Sequence, residues 1–172
     1  MLWEKGPFPI TYLFSHLHLQ IEMIDCLLDE CKIRKERDIW IVSLSPFNST
    51  KRQRYILAYA LGHILFHTKK IKKNYINIFN FKEQRKEEQE AKDFAVILLV
   101  PTVVISQLFL KKRIFSFQLK QEIHKLSLLY KVSCEVIKYR LEQFSYLFNI
   151  EETKSFSFKK LIETLKHLLR IN

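Results

Sequence analysis

The spacing of hydrophobic and polar residues along the chain predicts a mixed, mainly helical protein. Segments whose apolar positions recur about every 3.6 residues indicate helices. We expect these at residues 17–37, 51–67, 102–112, 117–130, 134–147 and 158–169. Two short β-type runs, at residues 39–44 and 74–81, interrupt the series. The expected fold class is therefore α+β, mainly helical, with a small β-sheet.

One further helix is predicted where a charged stretch continues without a break into an apolar one. Residues 82–93 are rich in charge, and the apolar residues that follow them stop at Pro101. A helix with a solvated first half and a buried second half explains this change. Because Pro101 also interrupts the apolar run of residues 94–110, that run is too short for the roughly 20 residues of a membrane span. We therefore expect no association with a membrane.

Composition narrows the classes of function. The 172 residues include only two glycines, Gly6 and Gly62, where average usage gives roughly a dozen. Glycine-rich phosphate-binding loops are thereby excluded. The formal net charge of +11 permits an acidic partner such as nucleic acid. Three cysteines with no C-x-x-C pair exclude a structural zinc knuckle and favour a reduced, cytoplasmic protein.

The helix at residues 51–67 carries the candidate chemistry. Thr50 and Gln53 have the spacing of a capping box at its start. Farther along, Tyr59, His63 and His67 follow one another at intervals of four residues, so their side chains project from one side of the helix. Two core histidines bonded to backbone carbonyls would also explain this spacing.

Gly62 lies inside the same helix, where a glycine costs about 1 kcal/mol relative to alanine. A glycine at such a position indicates that another backbone or a ligand approaches closely. We therefore expect a close contact at this point of the helix.

Three segments together resemble one known family. Residues 54–67 read R-Y-I-L-A-Y-A-L-G-H-I-L-F-H. They resemble the signature helix of the ImmA/IrrE zinc metallo-endopeptidases, approximately R-F-T-L-A-H-E-L-G-H-L-L-L-H. Residues 88–101, E-Q-E-A-K-D-F-A-V-I-L-L-V-P, resemble the second block of that family, and residues 124–141 resemble its third.

This resemblance covers roughly residues 38–147 and implies a zincin-like metallopeptidase core. It implies a metallopeptidase-like domain at residues 1–115. Residues 116–172 then form a C-terminal helical extension, similar to a helix-turn-helix, that packs on this domain. A single domain spanning residues 1–172 is the alternative.

The resemblance also shows where this sequence departs from the family. In H-E-x-x-H, two histidines one turn apart hold zinc and the glutamate activates the metal-bound water. Here Tyr59 occupies the first histidine position and Ala60 the general-base position, so no catalytic residue is expected. His63 and Glu88 are the remnant metal ligands that the resemblance implies. Three further residues remain as alternatives, namely Glu87 or Glu90 in place of Glu88, and His67 as a substitute ligand.

The resemblance implies a partner as well, because known members of the family cleave helix-turn-helix repressors. We expect a catalytically degenerate relative that binds such a repressor through a cleft formed by Tyr59, Ala60 and His63, and regulates without proteolysis. No cofactor is expected, or zinc if the remnant site still binds metal. The first alternative is an active zinc metallo-endopeptidase, either with a rebuilt site or with positions 59 and 60 substituted to silence it.

The second alternative is a basic nucleic-acid-binding protein. Residues 118–147 read as two helices joined by a short turn, a pattern that DNA-binding proteins share. The second of these helices is expected to present Glu135, Lys138, Arg140 and Gln143 to solvent. Because this set mixes acidic, basic and neutral residues, it favours packing within the peptidase-like fold over DNA binding.

Overall fold

The structure is a computed structural model that describes residues 6–25, 31–68, 75–78, 86–110 and 116–151. Within these ranges the chain forms six helices and four strands. The helices are α1 (Ile10–His16), α2 (Thr50–Phe66), α3 (Lys86–Leu99), α4 (Thr102–Leu110), α5 (Ser116–Leu129) and α6 (Cys134–Glu151). The strands are β1 (Gln20–Met23), β2 (Cys31–Glu36), β3 (Ile39–Leu44) and β4 (Tyr75–Ile78). The α+β, mainly helical fold class is confirmed.

The four strands form one sheet in the order β1-β3-β2-β4. β3 pairs in parallel with β1 and antiparallel with β2, and β4 pairs antiparallel with β2. Ile33 of β2 lies opposite Val42 of β3, and both side chains are fully buried. Because alternate residues of a strand face opposite sides, this register directs one side of the sheet into the hydrophobic core.

The predicted helix at residues 17–37 is wrong. The described part of this segment contains strands β1 and β2, and helix α1 precedes them. In β2, Cys31 and Ile33 are buried while the side chains between and after them are more exposed, which is the period-two pattern of a half-buried strand. Pairing with the apolar strand β3 outweighs the helical spacing of the preceding apolar residues.

The remaining predicted elements within the described residues are confirmed, with ends shifted by a few residues. The cap of α2 is Ser49 and not Thr50, because the Ser49 hydroxyl accepts a hydrogen bond of 3.3 Å from the backbone N–H of Arg52. Ser133 likewise accepts a 3.4 Å hydrogen bond from the backbone N–H of Val136 at the start of α6. The helix predicted at residues 158–169 lies outside the described residues.

The C-terminal helices pack on the rest of the described structure. α6 contacts α3 and α4, and one continuous hydrophobic core includes residues of α2, α3, α5 and α6. The boundary between residues 115 and 116 stays a prediction. None of the helices within the described ranges combines the length and the apolar content that a bilayer crossing requires.

The predicted outward position of Arg140 is wrong. Its side chain is 2% exposed and donates three hydrogen bonds. The acceptors are the carbonyl oxygen of Val100 at 3.3 Å, Thr102 Oγ1 at 2.9 Å and Gln143 Oε1 at 3.0 Å. Arg140 faces inward because it follows buried Val136 and Ile137 by one helical turn, and the corner between α3 and α4 supplies its acceptors.

Helices α2 and α3 form the most extensive contact between helices, and Gly62 lies within it. A β-carbon at position 62 would lie 3.0 Å from Cα of Ala91 and 3.2 Å from the Ala91 carbonyl oxygen. The close backbone approach predicted from this glycine is therefore confirmed. It brings the first turns of α3 against the face of α2 that carries the histidines.

Candidate functional site

The face of α2 turned toward α3 carries a ladder of four rings. Tyr55, Tyr59, His63 and His67 follow at intervals of four residues, and successive ring centroids lie 6.1, 4.8 and 5.2 Å apart. Intervals of four residues stack side chains along one side of a helix. The predicted common side of Tyr59, His63 and His67 is confirmed.

The first turn of α3 brings Glu88 against this ladder. The Tyr59 hydroxyl donates a hydrogen bond to Glu88 Oε2. His63 Nε2 lies 3.5 Å from the same oxygen, without the geometry of a hydrogen bond, and has no hydrogen-bond partner among the described residues. Glu88, one of the three candidate glutamates, thus adjoins both Tyr59 and His63.

A second pair of contacts joins the end of α2 to α3. His67 Nδ1 lies 3.3 Å from His63 Nδ1, and His67 Nε2 lies 3.1 Å from Glu90 Oε2. A carboxylate only accepts, so His67 must carry its proton on Nε2. When His67 is neutral, its Nδ1 is bare and accepts the proton of His63 Nδ1, which leaves Nε2 of a neutral His63 without a proton.

Electrostatics support the neutral form of His63. Burial, reinforced by the neighbouring His67, lowers the pKa of His63 to about 4. Burial also raises the pKa of Glu88, because a carboxylate shielded from water is disfavoured. The hydrogen bond from His67 has the opposite effect on Glu90 and lowers its pKa. The site thus contains one carboxylate that resists ionisation and one that is stabilised as an anion.

The family resemblance implies zinc, and the residues that are present do not fit it. Catalytic zinc sites hold the metal with three protein ligands and leave one position open. Here the bare Nε2 of His63 and the carboxylate of Glu88 lie next to each other, and Tyr59 brings a neutral hydroxyl already bonded to Glu88. Across the described residues, no group of three His, Cys, Asp or Glu side chains is arranged to hold a metal ion.

The residues predicted to form a partner cleft present almost no surface. Tyr59 is 7% exposed, His63 is 3% exposed and Ala60 is fully buried. The accessible part of the site is its edge, where the side chains of Glu88 and Glu90 are 36% and 46% exposed and Phe66 is 42% exposed.

His67 and Glu90 were both candidates from the sequence, but their pairing with each other was not predicted. Glu90 lies two residues beyond Glu88 on α3, and it contacts His67, which lies one turn beyond His63 on α2. Phe66 was not predicted to belong to the site. Its ring packs edge-on against Phe94 of α3, with centroids 5.3 Å apart, and no spacing rule marks it in the sequence.

A comparison with known protein families identifies the family of this fold. Residues 19–142 match the sequence profile of the IrrE N-terminal-like domain (Peptidase_M78). Comparison with individually curated proteins gives no significant match. The match extends from strand β1 into helix α6 and includes both sides of the site, in agreement with the family resemblance of the three sequence segments. The chain therefore belongs to the IrrE N-terminal-like domain family.

Proposed function

We propose that this chain is a catalytically degenerate member of its family that regulates a helix-turn-helix transcriptional repressor by binding it. The observation that carries the proposal is Ala60. It occupies the general-base position of the family motif and is fully buried, so it can neither move a proton nor orient a water molecule. A member without the base retains the scaffold and loses the means of hydrolysis.

The surface that we assign to the partner is the edge of the site, here called the α3 rim. It is formed by Phe66, Glu88 and Glu90 together with Glu87, which is half-buried in the same turn of α3 and acts electrostatically on His63. Tyr59 and Ala60 lie beneath it and have too little exposed area to be contacted directly. One exposed aromatic ring beside three carboxylates suits a basic segment of a partner, because a charged edge steers association and an apolar group supplies contact area. Helix-turn-helix repressors carry such basic segments.

Co-expression with the helix-turn-helix repressor encoded nearest to this chain tests the proposal. We expect a complex that co-elutes, relieved repression of a reporter gene, and a repressor of full length by intact mass spectrometry. A repressor cut into two fragments by the unmodified chain would contradict the proposal and support the active peptidase.

Two matched charge reversals test the α3 rim. Glu87→Lys, in the rim, should weaken the complex at least about tenfold, the cost of placing like charges together. Glu122→Lys makes the same change on α5 and should leave the affinity within about twofold. Equal effects of the two variants would show that the partner binds elsewhere.

The alternative of an active zinc metallo-endopeptidase draws on one observation, the adjoining His63 and His67. A pair of histidines at this spacing can bind a metal ion. In this structure, however, their Nδ1 atoms face each other and His67 is engaged by Glu90. One zinc per chain after purification without chelators, together with cleavage of the repressor, would establish this alternative.

Nucleic-acid binding loses its main structural support with the burial of Arg140. The net charge of +11 and the pair of helices α5 and α6 remain as its arguments. Binding of duplex DNA that falls steeply with salt concentration would restore it.

A further inference from the structure

We propose that the hydrogen bond from Tyr59 to Glu88 takes over the structural task of the missing metal and joins α2 to α3 in a site that no longer needs an ion. The inference rests on the proposed loss of catalysis and adds to it what holds the degenerate site together. In H-E-x-x-H sites the metal links the motif helix to a carboxylate outside it. Tyr59 and Glu88 make the same link between the two helices through a hydrogen bond.

The first step is the identity of the atoms that meet. Glu88 Oε2 and His63 Nε2 lie 3.5 Å apart, and in the neutral tautomer set described above both are hydrogen-bond acceptors. Two acceptors that face each other are unfavourable unless a donor or a positive centre lies beside them. The Tyr59 hydroxyl supplies a proton to Oε2 from the position where the family has its first histidine.

The second step is geometry. The Tyr59 ring meets the His63 ring edge-on, with centroids 4.8 Å apart, and stacks on Tyr55 at 6.1 Å. Tyr59 is therefore packed on both sides within the ladder, and its hydroxyl is directed at Glu88 without freedom to turn away. Because the Tyr59 ring is buried and packed on both sides, its hydroxyl bond to Glu88 competes less with water than a surface contact would.

The third step is chemistry. A neutral phenol donates a proton to Glu88 and is a poor substitute for the imidazole nitrogen that binds zinc. Tyr59→His should thus replace the hydrogen bond to Glu88 with a link through a metal ion. This single substitution should make the thermal stability of the protein depend on the metal.

Thermal unfolding of the whole chain tests the link itself. Tyr59→Phe removes only the hydroxyl, and we expect Tm to fall by about 3–6 °C. Tyr55→Phe removes the same atom one turn earlier on the same face and should change Tm by less than about 2 °C. Equal shifts in the two variants would overturn the proposal.

Zinc chloride and a chelator test the exchange. Neither should change the Tm of the unmodified chain or of Tyr59→Phe. Tyr59→His should bind one zinc by mass spectrometry, and zinc at about 100 times its Kd should raise Tm by about 5–10 °C, reversibly with chelator. A zinc-dependent rise of similar size in the unmodified chain would overturn the proposal.

Repressor binding separates this inference from the proposed function. If the unmodified chain fails to bind the repressor while Tyr59→Phe and Tyr59→His behave as expected, only the proposed function fails. If the chain binds the repressor and Tyr59→Phe shifts Tm no more than Tyr55→Phe, only the link between Tyr59 and Glu88 fails.

Discussion

His63 and His67 face each other through their Nδ1 atoms, 3.3 Å apart, so that one imidazole must donate a proton to the other. Glu90 fixes the direction of this hydrogen bond by accepting from the far nitrogen of His67. A carboxylate on α3 thereby decides the tautomer of a histidine one turn away on α2. The burial of His63, reinforced by the neighbouring His67, lowers its pKa and makes the stability of the fold depend on pH.

We expect the unfolding free energy to decrease as the pH falls from about 6.5 to 4. The pKa of His63 is about 4 in the folded protein and 6.5 in an unperturbed chain. Between these two pH values, His63 binds a proton in the unfolded chain and stays neutral in the folded protein. Lowering the pH therefore favours unfolding. The difference between these two pKa values corresponds to about 3 kcal/mol of unfolding free energy, which urea unfolding at a series of pH values measures.

His63→Gln provides the control for this pH dependence. Its unfolding free energy should vary less between pH 6.5 and 4, whatever its absolute stability. Glu88 acts in the opposite sense, because its raised pKa favours protonation of the folded state in acid. Parallel curves for the unmodified chain and for His63→Gln would show that His63 does not control this transition.

Restoring the family motif should restore hydrolysis. Tyr59→His with Ala60→Glu supplies the missing ligand and the missing base, and we expect zinc-dependent cleavage of the co-expressed repressor. Tyr59→His alone should bind zinc and cleave about 10²–10⁴ times more slowly, since it lacks the base. Cleavage is measured by gel electrophoresis with and without chelator, and a double variant that binds zinc without cleaving would indicate a diverged binding surface.

Gly62→Ala should destabilise the fold despite the better helix propensity of alanine. The new β-carbon would meet backbone atoms of Ala91 at 3.0 and 3.2 Å, which cannot move without shifting α3. Overpacking of about 2–3 kcal/mol exceeds the propensity gain of about 1 kcal/mol, so we expect a net loss of about 1–2 kcal/mol in chemical denaturation.

Gly6→Ala is the matched control for that substitution. A β-carbon at Gly6 meets no heavy atom within 4 Å, and this variant should leave stability nearly unchanged. Similar losses at the two glycines would show that close packing of α2 on α3 is not the cause.

Arg140→Met should cost about 3 kcal/mol of stability and leave binding of duplex DNA unaltered. Burial lowers the pKa of Arg140 to about 10, so it remains charged at neutral pH and its loss leaves the carbonyl of Val100 and Thr102 Oγ1 without their donor. Lys138→Met changes an exposed residue of the same helix and should be nearly neutral. A loss of DNA affinity specific to Arg140→Met would instead support the nucleic-acid alternative.

The sequence predicts this fold well where periodicity and tertiary environment agree. Helix α2 is apolar nearly all round from Tyr55 onward, and the change from charged to apolar residues in α3 marks its solvated and buried halves. Prediction fails at residues 17–37, where helical spacing and strand alternation overlap and only the pairing of β2 with β3 distinguishes them. It fails again at Arg140, because two of its three acceptors, Val100 and Thr102, lie about 40 residues away along the chain.

For the site, the sequence identifies the participants and not their partners. Spacing alone places Tyr59, His63 and His67 on one side of α2, and the family resemblance points to Glu88 with Glu87 and Glu90 as alternatives. Glu88 contacts Tyr59, and Glu90 contacts His67. These pairings depend on the position of α3 along the axis of α2. No local pattern encodes that offset between two helices.

The contact of Gly62 with Ala91 sets the spacing of α2 and α3, while the side chains around it contribute to stability. Because two backbones rest against each other there, the distance between α2 and α3 is set by steric exclusion and not by whatever bridges their side chains. Side chains beside the contact can therefore be exchanged, imidazole for phenol or carboxylate for methyl, within an unchanged frame. Within such a frame, a few side-chain substitutions are enough to remove or restore catalysis.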